Sequence, residues 1–393
     1  MILARLEEIV VKYPPTTDVS LDALAEMFSS TLEGGIILAR IYGIIAREVG
    51  RLLMRWIRGI FLVLGLAGLG VGLLLAYALT VYKPVPVDPE WEMEASENPG
   101  EGSVTVRFTG TSTLLFDDGE TAWMVDGWFS RPGPLRLVLG KIEPDLDAIE
   151  QGLAANEVDQ LAAVIPMHSH YDHAMDSPEV ARRTGAILLG SESTANIGRG
   201  WGLPEEQIAV FQDRTPVTLG NFVVTPVESR HFQFPDPQIR EKALGDPEIS
   251  GPLVPPVSLF DYRLGKAYVL HVAHPRGSFV VVGSAGYVEG ALQALDADVI
   301  FLGVGGLGSQ TPEYREAYWR ETVEATGANR VIPIHFDSLT GPIEGPFRGP
   351  VMAMAFLSAG LDNTLPFLQG KARERPELSF GTLPRYEKVV VFP

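Results

Sequence analysis

The spacing of apolar and polar positions divides the 393-residue chain into stretches of different character. Residues 1–58 carry helical spacing interrupted at Pro14-Pro15 and Gly34-Gly35, with Asp18, Ser20 or Asp22 as caps before Ala23 to Phe28. Residues 59–82, Gly59 to Tyr82, form 24 consecutive positions without a charge. A helix needs about 20 such residues to cross a bilayer, so this segment predicts a transmembrane helix. Residues 83–102, rich in Pro, Glu and Asn, read as a linker. From residue 103 short apolar runs predict strands at Val104 to Phe108, Thr113 to Phe116 and Ala122 to Val125, with Asp117-Asp118-Gly119 turning between the last two. Further strands are expected at Leu161 to Ile165, Ile187 to Leu189, Phe222 to Val227, Ala267 to Val272, Phe279 to Val282, Val299 to Leu302 and Val331 to Ile334. Helices are expected at Asp145 to Ala155, Pro178 to Arg183, Tyr314 to Thr326 and Val351 to Ala359. The pattern predicts an α/β domain over residues 103–345 and a C-terminal extension, residues 346–393, packed on it and ending in a strand at Val389 to Phe392.

Charge gives these stretches a direction. Up to Lys83 there are 8 basic and 7 acidic residues, which leaves 23 basic and 42 acidic for the remainder. The acidic domain repels phosphate backbones, so no nucleic-acid partner is expected. Arg40, Arg47, Arg51, Arg55 and Arg58 precede the apolar run, and acidic residues follow Lys83. This bias places the N-terminus in the cytoplasm and the domain in a periplasmic or extracellular space. The competing reading starts the protein at Met54, with a signal peptide cleaved near Ala78 and a secreted product. Gly68 and Gly72 form a small-xxx-small pair able to seat a homodimer, against ordinary glycine in a membrane helix.

The chain has no Cys, which excludes disulfides, Cys-ligated zinc, iron–sulfur clusters and thiol nucleophiles. Any metal must be held by His and carboxylates. After the Leu161 to Ile165 run comes His168-Ser169-His170-Tyr171-Asp172-His173, four potential ligands in six residues. In extended backbone i and i+2 point the same way, so His168 and His170 can grip one ion, and Asp172 and His173 can face a second after the chain turns. Imidazole and carboxylate suit zinc and also accept manganese or iron. Of seven histidines, His231 and His335 also follow predicted strands, whereas His271 and His274 read either as extra ligands, a proton shuttle or structural residues. Gly303-Val304-Gly305-Gly306-Leu307-Gly308 lacks the Lys-Ser/Thr of a P-loop, and a tight turn beside the pocket is expected instead.

With these residues the sequence resembles the metallo-β-lactamase superfamily, whose fold is a four-layer αβ/βα sandwich. Val106 to Thr113, Met124-Val125-Asp126-Gly127 and Pro333-Ile334-His335-Phe336-Asp337 look most like the branch containing ascorbate-6-phosphate lactonase and N-acylphosphatidylethanolamine phospholipase D. The resemblance implies that His168, His170 and His231 hold a first zinc and Asp172, His173 and His335 a second, with Asp172 and His335 also serving catalysis. One position departs from the family: Ser284 stands where a bridging Asp is usual. That predicts either one tight and one weak metal or two metals without a carboxylate bridge. The expected activity is hydrolysis of an ester, lactone or phosphodiester in a small molecule or lipid by a metal-bound hydroxide. The alternative, motivated by Ser284, is an inactive metal-binding or sensing module of the same fold.

Overall fold

The computed structural model describes residues 2–12, 14, 20–353 and 360–393. The chain forms two compact units that meet in sequence at Ala76 and Tyr77. The first unit contains α1 (Ile2–Lys12) and most of α2 (Leu21–Thr80), a single helix of 60 residues. Ser20 starts α2: its hydroxyl accepts from Ala23 N at 3.3 Å and its carbonyl from Leu24 N at 3.1 Å. Asp22 lies inside the first turn, and Asp18 is outside the described residues.

The break expected at Gly34-Gly35 does not occur, because α2 runs straight through it. Two glycines cost about 1 kcal/mol each relative to Ala. Helix-forming residues on both sides carry the cooperative ladder across them. No residue of α2 is buried, and most of its long apolar surface is exposed among the described residues.

The second unit is built on two seven-stranded sheets. The first contains β1 (Val104–Gly110), β2 (Thr113–Asp117), β3 (Ala122–Val125), β4 (Ala163–Ile165), β5 (Ile187–Gly190) and β6 (Ile208–Val210), with β14 (Val389–Phe392) at the edge beyond β1. The second runs from β7 (Val217–Leu219) through β8 (Phe222–Ser229), β9 (Ala267–His274), β10 (Gly277–Val282), β11 (Val299–Gly303) and β12 (Arg330–Ile334) to β13 (Ser379–Phe380). In both sheets an antiparallel half passes into a parallel half, at β3–β4 in one and β10–β11 in the other.

An aromatic layer joins the facing sheets. Phe116 stacks on Phe279 at 4.5 Å and on Trp123 at 4.9 Å, and Phe301 meets it edge-on at 5.2 Å. Each such pair contributes about 0.5–1.5 kcal/mol beyond area burial. Outside the first sheet, α4 (Leu146–Ala155) and α6 (Ser177–Thr184) bury Ile149, Leu153 and Val180 against Met124, Val164 and Leu188. Outside the second, α9 (Pro312–Trp319) stacks Trp319 on Phe380 and donates the Tyr318 hydroxyl to Gly303 O at 2.7 Å. The result is a two-sheet α/β sandwich with helices on its outer faces.

Several boundaries differ from expectation. Residues 83–102 are not a free linker: Val87 is in the core, Trp91 stacks on Phe380 at 4.7 Å, and Met93 N donates to Thr382 O at 2.9 Å. Their polar composition hides a few apolar anchors that decide the outcome. Residues 346–393 are not an addition to a finished domain either, since β14 completes one sheet and β13 the other. Val351 pairs with Tyr82 in a bridge rather than starting a helix, and most of the helix expected to Ala359 lies outside the described residues. Unpredicted elements include β6, β7, β13, α3 (Pro134–Leu139), α7 (Glu192–Trp201), α8 (Pro237–Leu244) and the helix Thr364–Glu374.

Candidate metal centre

The candidate ligands arrive from the C-terminal ends of β4, β8 and β12. After β4 the chain bends over residues 167–170, with His170 itself extended, and Ser169 turns its hydroxyl toward Ser191 and Thr194, at 3.1 and 3.0 Å. His168 and His170 then face the opposite way, with His168 Nε2 and His170 Nδ1 only 3.1 Å apart. The short helix α5 (Tyr171–Ala174) presents Asp172 and His173, His231 follows β8, and His335 follows β12.

Six residues thus form two adjacent triads. His168, His170 and His231 offer ligand atoms within 4.8 Å of one another, and so do Asp172, His173 and His335. The His168 and His173 rings lie 3.8 Å apart across the boundary. Asp172 Oδ2 is 3.6 Å from His173 Nε2 and 3.4 Å from His335 Nε2.

Surrounding hydrogen bonds fix which nitrogen faces inward. His170 Nε2 donates to Ala243 O at 3.3 Å, His231 Nδ1 to Phe232 O at 2.8 Å, and His173 Nδ1 to Asp126 Oδ2 at 2.8 Å. Each bond spends one ring N–H on the protein and leaves the other nitrogen's lone pair for the centre. Burial and then the neighbouring imidazoles hold His168 and His231 well below the usual histidine range, and burial lowers His170 to about 4. Burial also opposes charge on Asp172 and His173, yet it is outweighed in both. The imidazoles keep the Asp172 carboxyl well below its ordinary value, and Asp126 and Asp172 raise His173. Converging lone pairs from the neutral imidazoles of His168, His170 and His231, beside the ionised Asp172, repel one another until a cation sits between them. The donor set therefore fits a metal bound by nitrogen and oxygen.

The support is strained where it touches the ligands. Asp126, Thr111 and His335 adopt positive φ of 59°, 55° and 58°, costly for residues with a Cβ. Asp126 is fully buried and also accepts from Met167 N at 2.8 Å, tying β3 to the ligand loop. His335 N donates to Thr111 O at 2.5 Å, while Thr111 N donates to Asp337 Oδ1 at 2.5 Å. Asp176 takes Phe129 N, Ser130 N and the Ser130 hydroxyl at 2.8, 2.6 and 2.8 Å, and burial raises it to about 6. The Gly303–Gly308 loop passes against the centre as well: a Cβ on Gly305 would stand 2.5 Å from His335 Nδ1.

Other candidates fall elsewhere. Ser284 is at the edge of the centre, where its hydroxyl accepts from Phe232 N at 3.4 Å, beside His231. His271 donates to Asp296 O at 3.0 Å, and His274 lies 3.2 Å from Asp118 Oδ2. The reading of these two as extra ligands or a proton shuttle is corrected, because both sit along β9 away from the triads. Arg276 bonds Glu101 O, Tyr287 packs on Tyr314, Tyr171 packs on Trp128, and Arg230 is exposed. Asp126 and Ser112, whose hydroxyl lies 3.2 Å from His173 Nδ1, join the site from outside the set of ligands that the sequence marks. The available signal for Asp126 was an acidic residue closing the apolar run Ala122 to Val125 before Gly127.

A profile of the beta-lactamase superfamily domain matches residues 138–336, just over half of the chain. The chain belongs to the beta-lactamase superfamily. A metal-dependent hydrolase from Chloroflexus aurantiacus is 30% identical over 73 residues, which cover 19% of this chain and 30% of that relative's length. Among solved structures, a metallo hydrolase from Ignicoccus hospitalis matches at 14% identity and a TM-score of 0.44, over 73% of this chain and 97% of that one. A diiron β-hydroxylase from Streptomyces venezuelae matches at 10% identity and a TM-score of 0.42, over 75% and 55% of the two chains.

Proposed function

We propose that this superfamily member is a membrane-anchored, metal-dependent hydrolase of ester, lactone or phosphodiester bonds in a small molecule or lipid. The observation that carries the reading is the pair of triads, five imidazoles and one carboxylate converging from three strand ends. His168, His170 and His231 hold the first ion and Asp172, His173 and His335 the second, with zinc favoured and manganese or iron as other occupants. When bound, the ions supply Lewis acidity and lower the pKa of water toward neutrality. The residues do the rest. Asp172, kept ionised by its neighbours, accepts a hydrogen bond from the attacking water and orients it. His335 flanks that carboxylate at 3.4 Å and holds it in place. Asp126 keeps the His173 Nδ1 proton, so that the Nε2 lone pair stays turned inward.

The anchor reading rests on the uncharged stretch within α2 and on the wholly unburied surface of that helix. Its arginine-rich approach supports a topology with residues 1–58 in the cytoplasm and the hydrolase domain beyond the membrane, with a helix homodimer through Gly68 and Gly72 as a further expectation. Ser284 favours a second reading, an inactive metal-binding module, because its hydroxyl is spent on Phe232 N and brings no charge to the centre.

The test is hydrolysis of an activated ester, a lactone and a phosphodiester lipid by the full chain in detergent, loaded with zinc. Turnover abolished by chelation and restored by zinc supports the hydrolase. Metal binding without turnover of any of the three favours the inactive module.

A further inference from the structure

Among the described residues beyond Tyr82, seven large apolar side chains are exposed, and they are not scattered. Three are on α3, where Leu135, Val138 and Leu139 are 60%, 69% and 81% exposed while Leu137 turns inward. Two more, Val254 and Phe260, flank Val257, which pairs with Ile142, three residues after α3, by backbone hydrogen bonds of 2.7 and 3.1 Å. Isolated exposed apolar residues are ordinary, but five on two joined segments make a face.

Its position is informative. Leu137, Ile142 and Val257 share a hydrophobic cluster with Tyr171, the neighbour of Asp172, and with Leu339. Phe260 lies under Lys242 Nζ at 5.6 Å, and the next residue, Ala243, is the one that accepts from His170. The segments that carry the apolar face therefore pack against residues next to the metal ligands Asp172 and His170. Thr340, next to Leu339, accepts from the Tyr82 hydroxyl at 3.2 Å, two residues after α2 ends at Thr80. Tyr82, near the start of the α/β unit, is thus tied next to Leu339, a member of the cluster that underlies the exposed face.

We propose that the face formed by α3 and residues 253–260 rests on a lipid bilayer, so that the metal centre opens at the membrane surface. The occupant is lipid because the domain is tied by only a few residues to a helix that supplies a membrane anchor, and an apolar face held there meets lipid first. The inference rests on the anchor reading above and adds to it a contact made by the hydrolase domain itself.

The absence of Cys makes the test direct, since one introduced thiol can be spin-labelled without background. The full chain is reconstituted in phosphatidylcholine vesicles as Leu139→Cys, Phe260→Cys, Val210→Cys and Leu69→Cys, and label collisions with oxygen and with a water-soluble nickel chelate are compared. Leu69, inside the uncharged run, reports the anchor, and Val210, exposed on edge strand β6, reports an exposed apolar position outside α3 and residues 253–260. Labels at Leu139 and Phe260 are expected to collide several-fold more with oxygen than with nickel, as at Leu69, with the preference reversed at Val210. Lipid values at Leu69 with water values at Leu139 and Phe260 overturn this inference and leave the anchor standing. Water values at Leu69 overturn both. Labels at Leu139 shielded from both reagents would mean a protein partner instead of lipid, and also overturn it.

Discussion

Seven histidines follow the same sequence logic, on or just after strands, yet they divide into two groups with opposite fates. His168, His170, His173, His231 and His335 come off the C-terminal ends of β4, β8 and β12 and converge. His271 and His274 stay within β9, paired in register with Thr225, Val280 and Gly277, and spend their polar atoms on Asp296 O and Asp118. Residue type is identical in both groups. What differs is whether the chain leaves the sheet, because a side chain inside a ladder is committed to its neighbours whereas one on a loop at a strand end is free to aim. A second difference is the spare nitrogen: at least three convergent imidazoles have one N–H tied to the protein and a lone pair left over.

Breaking the convergent group should have the largest effect. His168→Ala is expected to remove the first metal and lower hydrolysis on the order of a thousandfold, measured by elemental analysis and ester turnover. His271→Gln and His274→Gln in the same assay should keep the full metal content. If His274→Gln loses metal as His168→Ala does, the distinction between the groups fails.

Asp126→Asn probes the support rather than the ligands. Asn tolerates the positive φ at this position, so backbone strain is not added. Loss of the carboxylate facing His173 Nδ1 should weaken metal affinity by about 10–100-fold in a competition titration, with an unchanged circular dichroism spectrum.

The metal-free protein should also respond to acid. His170 is depressed to about 4 in the folded chain from 6.5, so its neutral form stabilises the fold above about 6.5. That stability is lost as pH falls through 4, about 3 kcal/mol in all. His168 and His231, depressed as well, act in the same direction, whereas the raised His173 opposes them, its contribution being present at low pH and lost as pH rises. Urea unfolding of chelated protein from pH 7 to 4 should show falling stability, and a rise would mean that His173 dominates. The smallest effect is expected at His274→Gln, where one side-chain interaction with Asp118 is replaced at a cost of about 1 kcal/mol without change in metal content.

The same division explains what could be read from the sequence. Ten interior strands and the terminal one announce themselves as continuous apolar runs, because most are buried on both faces. β6, β7 and β13, of three, three and two residues, are too short to show any period. Residues 83–102 look like a linker because Val87 and Trp91 are sparse anchors in a polar stretch. The six candidate ligands were legible as residue types placed after strands. Asp126 was visible within Met124-Val125-Asp126-Gly127, but its role was not, since its partner His173 is 47 residues away and no local spacing links them.

The central claim is that the two triads hold metal, and the ratio of metal to chain tests it most directly. Elemental analysis of the full-length protein, purified without chelator, should give at least one zinc, manganese or iron per wild-type chain, with His168→Ala losing one equivalent. If wild type holds only one, Ser284→Asp should raise it toward two by returning a carboxylate beside His231. No metal in the wild-type protein after incubation with zinc, and none in Ser284→Asp, would contradict the account.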